Sequence, residues 1–216
     1  GPFKLDTFSQ FDRIRLVRNP NYWKEGRPFL DAIEFSVVTS RSTALLSFVA
    51  GRYDMTFPND VTMAALRDVR RQSPRVQCEA TGLNNNTNLM LNRDSPPFDN
   101  PDIRRALALA LDRHGFMEAL SDGSGTIGGH LLPPPDGRWG MSDEKLAESP
   151  GYGPDLEKNR EAARELMRKA GYGPERPLPL KISTRAVSLY RSPAAVLANQ
   201  LQEIHVDATL DVVETS

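Results

Sequence analysis

Asn84-Asn85-Asn86-Thr87-Asn88 is a run of carboxamide and hydroxyl side chains placed directly before the apolar Leu89-Met90-Leu91. Each carboxamide carries two donor hydrogens and an acceptor oxygen. That combination suits a cleft that hydrogen-bonds the backbone of an extended peptide. The run reads equally as an asparagine-rich turn, because asparagine tolerates left-handed backbone and bonds to its own chain. Other constellations carry less chemistry. Gly123–Gly129 has the glycines of a phosphate loop but lacks the G-K-[ST] lysine and does not lead from a strand into a helix, so a plain loop is expected. His114, His130 and His205 are scattered, with no second histidine or cysteine at ligand spacing, and no metal site is expected. Ser124 lies in no G-x-S-x-G elbow, and Asp143 and Glu144 read as a solvated loop. No catalytic residue emerges, so the chain is not read as an enzyme. Tyr22, Trp23 and Trp139 are expected to cover sheet edges and loops rather than stack on a ligand.

The bulk numbers narrow the partners. The 216 residues carry 27 basic and 28 acidic side chains, so no basic field points to nucleic acid. Cys78 is the only cysteine, which excludes an internal disulfide but does not decide the compartment. No run reaches the apolar length that crosses a bilayer. Gly1-Pro2-Phe3-Lys4-Leu5 reads as the start of a strand rather than of a protein, and an excised fragment is expected. A missing signal peptide is then uninformative.

The elements that must hold these residues follow from periodicity. Phe3–Leu5, Arg13–Arg18 and Asp31–Val38 alternate as strands with one buried face. Ser40 is expected to cap a helix ending near Gly51, and Asn59 or Asp60 a helix to about Arg71, with Tyr53–Phe57 a strand and Arg75–Glu79 extended. Past a strand at Leu89–Leu91, Pro96 and Pro97 exclude helix. Asn100, Pro101 and Asp102 form a helix start, and Ile103, Ala106, Leu107, Ala110 and Leu111 an apolar stripe. This helix is expected to run to residue 113, with Gly115 as terminator and His114 at its carboxyl end, where positive charge is favourable. An irregular run extends to Pro154. Asp155 then caps a helix over 156–170 ended by Gly171, with Glu165 and Lys169 as an attractive pair. Pro179–Ser183 is a strand, Ser192 to about Ile204 a helix, and Val206–Val213 a final strand. The whole is α/β.

Several of these words also resemble one family. Pro96-Pro97-Phe98-Asp99 followed by Asp102-Ile103-Arg104-Arg105-Ala106-Leu107-Ala108-Leu109-Ala110-Leu111-Asp112-Arg113 is similar to the middle of extracellular solute-binding proteins of ABC importers, family five, the peptide and nickel group. Gly1-Pro2-Phe3-Lys4-Leu5 resembles the family's G-T-G-P-F-K-L strand, and Arg18-Asn19-Pro20-Asn21-Tyr22-Trp23 its R-N-P-x-Y-W turn. Ala50-Gly51-Arg52-Tyr53-Asp54 is similar to A-G-x-x-D, and Gly171-Tyr172 to the end of K-A-L-L-x-E-A-G-Y.

The resemblance implies a periplasmic-binding-protein-like fold of type II, two lobes with a hinge, present as a partial fragment. Residues 1–83 would belong to lobe I, 84–88 to the hinge crossover beside the cleft, and 89–216 to the start of lobe II. Asn84, Asn85, Asn86, Thr87 and Asn88 would then be ligand-binding. Many peptide binders have tyrosines in this strand where this chain has asparagines. Charged residues that pair with peptide termini would lie mainly outside the chain. The implied function is capture of a small solute, a peptide or a nickel complex, by clamp closure, and its delivery to an ABC permease in the membrane. The full-length protein would be a monomer with a signal peptide, periplasmic or lipid-anchored, with no cofactor and no nucleic-acid partner. The alternative keeps the fold as the ligand-sensing domain of a transcriptional regulator.

Overall fold

Alternation along the first three strands produces an antiparallel sheet. In the computed structural model, which describes residues 1–57, 61–79, 87–129 and 140–214, β1 (Phe3–Ser9), β2 (Arg13–Arg18) and β3 (Ala32–Ser36) pair in the order β1-β2-β3. β1 runs four residues past the expected Phe3–Leu5 segment, with a bulge between Leu5 and Thr7. Arg15 crosses one face of the sheet to reach Asp6 at 2.6 Å and Glu34 at 3.2 Å. The Arg15 guanidinium, with the Thr7 hydroxyl second, holds the Asp6 carboxyl below the usual carboxylate range, and Asp6 in turn raises Arg15.

Two capped helices follow. Ser40 accepts from the Thr43 N–H at the start of α1 (Arg41–Val49), as expected. α2 (Met63–Gln72) is capped by Thr62, which accepts from Ala65. The expectation of Asn59 or Asp60 is therefore corrected; both lie outside the described residues. Tyr53–Phe57 and Arg75–Glu79 are not strands. A strand needs a paired neighbour, and neither segment pairs with a described strand. The chain divides into two units, Gly1–Val76 and Gln77–Ser216.

The second unit holds the core. Asn100 accepts from the Asp102 N–H at 2.9 Å and Pro101 opens α3 (Pro101–Ala110), which buries Ile103, Ala106, Leu107, Leu109 and Ala110. The helix stops three residues before the expected end. Asp112 caps a second helix, α4 (Arg113–Ser121), through its Oδ1 and the Gly115 N–H at 2.8 Å. Gly115 is thus inside a helix rather than a terminator, and a Cβ there would crowd the Asp112 carboxylate. His114 lies in the first turn of α4, not at a carboxyl end. Gln200 locks the break between the helices. Its Oε1 accepts from the Asp112 N–H at 2.9 Å and its Nε2 donates to the Asp112 carbonyl at 3.0 Å.

Leu89–Leu91 is irregular rather than a strand, with Leu91 against the core and Met90 exposed. The run expected to be irregular up to Pro154 contains a short helix, α5 (Asp143–Ala147). Asp155 caps α6 (Leu156–Lys169), and Gly171 ends it at a φ of 87°. Lys169 reaches Asp102 of α3 at 2.6 Å, not Glu165, which pairs with Arg168 at 2.8 Å. β4 (Leu178–Arg185), α7 (Ser188–Gln202) and β5 (Val206–Val213) form a β-α-β unit with the strands parallel. α7 begins four residues before the expected Ser192 and carries Pro193 inside it. The shared core gathers Ile103, Leu107, Met167, Leu201, Ile204 and Val206.

Candidate functional site

Of the five residues predicted to bind ligand, Asn84, Asn85 and Asn86 lie outside the described residues. Thr87 and Asn88 are exposed in the irregular segment before Leu91. Side chains there meet solvent rather than the core.

The β-α-β unit draws attention to a second location. In open α/β sheets, ligands sit beyond the carboxyl ends of the parallel strands. Here that edge is formed by Arg185 to Ser188 after β4 and by Val212, Val213 and Glu214 at the end of β5. The Ala186 N–H donates to the Val213 carbonyl at 3.3 Å and ties the two strand ends together. The Val187 carbonyl accepts from Tyr190 and Arg191, starting α7. Arg185, Leu189, Tyr190, Arg191, Val212 and Val213 are all exposed at this edge, and the Arg185 guanidinium lies 5.1 Å from the Tyr190 ring centroid. The Arg185 guanidinium beside the Tyr190 ring carries directed N–H donors of the kind that pair with an anion, and Arg191 is exposed in the first turn of α7. Reading the sequence for motifs missed this edge, since an arginine after a strand is no motif. The available signal was the strand–helix–strand order with cations at its first turn.

Two concavities among the described residues are open depressions. One of about 270 Å³, lined by Pro174, Pro177, Gln202, His205, Val206 and Asp207, lies at the opposite, amino-terminal end of the strand pair. Another of about 550 Å³ runs between α3 and α6, lined by Arg105, Leu109, Ala162, Glu165, Leu166 and Lys169. Neither gathers a nucleophile, a base and an orienting group. Among the described residues no three His, Cys, Asp or Glu side chains converge as metal ligands; His130 lies outside them. The glycine loop follows the carboxyl end of α4. It is held by the Tyr152 hydroxyl donating to the Gly128 carbonyl at 3.0 Å. Arg113 stacks 3.9 Å from the Tyr152 ring centroid and donates to the Gly151 carbonyl at 2.6 Å. Tyr22 and Trp23 meet at 5.8 Å between centroids, yet Trp23 is exposed rather than covering the sheet. Trp139 lies outside the described residues.

The model of the middle part of the bacterial extracellular solute-binding proteins, family 5, matches residues 1–216. The chain belongs to this family. Haem-binding protein A of Haemophilus influenzae is 34% identical over 174 residues, covering 80% of this chain and 29% of that protein. The glutathione-binding protein GsiB of Escherichia coli is 28% identical over 172 residues, covering 80% of this chain and 31% of that protein. The periplasmic binding protein DppA of Helicobacter pylori, solved with the peptide STSA, superposes with a TM-score of 0.77 at 24% identity, covering 99% of this chain and 38% of that one. That likeness concerns fold: the family 5 chain shares the type II periplasmic-binding architecture and matches a part of it. It spans about three-tenths of the length of the curated relatives it matches.

Proposed function

We propose that these residues belong to the solute-binding component of an ABC importer. It captures a small solute outside the cytoplasmic membrane, in the periplasm or on a lipid anchor, and hands it to a membrane permease. In this reading the protein acts as a monomer, binds without chemically changing its solute, and closes as a clamp because the solute has higher affinity for the closed state. Residues 1–83 are assigned to its first lobe, 84–88 to the crossover and 89–216 to its second. The observation that carries the proposal is the family match along the full 216 residues. No specific observation favours the transcriptional-regulator alternative.

The solute class follows from shared chemistry. Haem, glutathione and a peptide all carry ionised carboxylates, and the described edge after β4 presents Arg185 beside Tyr190 with Arg191 exposed in the next turn. The solute is a carboxylate-bearing molecule, a peptide foremost. Its carboxylate is held at that edge, and backbone groups of the peptide are held by the Asn84–Asn88 carboxamides and hydroxyl. The full-length protein should be stabilised by a member of a panel of di- to oligopeptides, glutathione and haem, more than by sugars or nickel, because a ligand that binds only the folded state raises its melting temperature. Response to none of the panel would refute the transport reading. Response to sugars alone would refute the carboxylate assignment.

A further inference from the structure

The first turn of α7 is held differently from the rest of that helix. Ser188 to Ser192 are all exposed, whereas Pro193, Ala194, Leu197, Ala198 and Leu201 are buried. Core packing therefore begins at the proline. The N-cap, Val187, offers no side-chain acceptor, and its backbone carbonyl, reached by the Tyr190 and Arg191 N–H groups, starts the helix. A missing cap leaves the first turn without one of its usual supports. Pro193 weakens the junction further. It has no N–H to donate to the Leu189 carbonyl four residues back, and a proline ring crowds the carbonyl at that spacing. In α3, by contrast, Pro101 stands at the first helical position, where the N–H has no helical partner in any case. Burial, capping and hydrogen bonding thus all give residues 188–192 little to hold them helical, and segments of this kind open at low free energy.

The same turn carries part of the cationic edge. In its helical form Tyr190 comes within 5.1 Å of the Arg185 guanidinium at the end of β4, and Arg191 is the next residue. Unwinding the turn separates Tyr190 from Arg185 and displaces Arg191. A carboxylate that pairs with Arg191 in the helical form therefore has different affinities for the two forms, and that difference shifts their populations. Lids and hinges are drawn from weakly held segments at the ends of elements. Pro193 is such an end: exposed turn on one side, buried helix on the other.

We propose that Ser188–Ser192 is a hinged turn, joined to the body of α7 at Pro193, that unwinds to admit the solute and re-forms over its carboxylate. Part of the binding free energy goes into ordering the turn, so Pro193 and the uncapped Val187 tune affinity without touching the solute. The inference rests on the reading that the edge after β4 holds a carboxylate. The movement is confined to one helical turn and is separate from closure of the two lobes.

Hydrogen exchange on the full-length protein tests it, solute-free and with millimolar glutathione or the tetrapeptide STSA as probe. Without a probe, the amides of Tyr190 to Ser192 should exchange at least about a hundredfold faster than those of Leu197 to Leu201. A probe should slow the turn at least about tenfold. Two variants then strengthen the turn by different means. Pro193→Ala restores a donor for the Leu189 carbonyl, and Val187→Ser supplies the missing cap. Each should slow exchange of the solute-free turn by about fivefold and tighten probe binding, because less ordering remains for the solute to drive. Should Pro193→Ala not fold, Val187→Ser carries the comparison alone. A turn already protected without a probe, or one left unchanged by both probes, overturns the proposal. So does a variant that slows exchange without tightening binding. Arg185→Gln separates the two readings. If it weakens probe binding while exchange of the turn ignores the probe, the carboxylate edge stands and the hinge falls. If Arg185→Gln and Arg191→Gln both leave probe binding unchanged, the carboxylate edge falls and the hinge with it.

Discussion

Asp6 and Arg15 define the residue scale, because their short ion pair gives the first sheet an acid-sensitive contact. The Asp6 carboxyl titrates below its ordinary range in the folded protein, so its contribution to stability is complete above the unfolded carboxylate pKa and disappears as pH falls through the folded one. Asp6→Asn in the full-length protein should therefore lower the neutral plateau of the stability-against-pH curve and flatten its acid limb by the same amount, the two curves converging at low pH; chemical denaturation across that range measures it. An unchanged acid limb would remove Asp6 from the account. A second residue-scale case is Gly151, whose φ is 81° and where a Cβ would overlap the Ala108 carbonyl. Gly151→Ala should cost on the order of 2 kcal/mol or more. Gly153 has nothing within 4 Å of the corresponding position and no positive φ, so Gly153→Ala should lie within about 0.5 kcal/mol of the parent. The difference between these two melting curves checks the packing of Gly151 on α3.

Elements show where sequence reasoning succeeded and why it stopped. The Asn100 cap, the Arg13–Arg18 strand and the Val206–Val213 strand were legible because their signals are local: a capping side chain, a proline, a period of two. The end of α3 was not. Ile103 to Leu111 keeps its apolar period through the break, and the interruption comes from Gln200, 88 residues away in sequence, pairing with both backbone groups of Asp112. Asp112 itself was the overlooked local clue, an N-cap residue in front of a second helix. Tyr53–Phe57 and Leu89–Leu91 were overread because an apolar run has strand character only where a partner edge exists. Ser192-Pro193 imitated a helix start inside α7. Of the predicted site, only Thr87 and Asn88 lie among the described residues, and the Arg185–Arg191 edge needed the parallel pairing of β4 with β5, a contact that no local window contains. Gln200→Ala leaves the Asp112 N–H and carbonyl without their partner, which should cost about 1–3 kcal/mol. It should also speed amide exchange at the start of α4 relative to α6. Asn100→Ala should cost about 1 kcal/mol through loss of the cap alone. If Gln200→Ala proves milder than Asn100→Ala, the helix break is set by Asp112 rather than by its long-range partner.

Binding belongs to the whole molecule, because affinity for a small solute requires walls that exclude water on several sides. The described concavities are open depressions, and the cationic edge after β4 faces solvent. An exposed guanidinium–carboxylate pair is worth at most about 1 kcal/mol, far short of the roughly 8 kcal/mol that micromolar affinity needs. Residues 1–216 expressed alone should therefore bind peptides, glutathione or haem no more tightly than the millimolar range, while the full-length protein binds its solute at least about a hundredfold more tightly. On the proposed reading, Arg185→Gln and Arg191→Gln should lower affinity in the full-length protein and have no measurable effect on residues 1–216. Titration calorimetry on both lengths makes the comparison. Micromolar binding by the shorter chain would mean that it already encloses a complete site, and the proposal that capture needs the assembled clamp would fall.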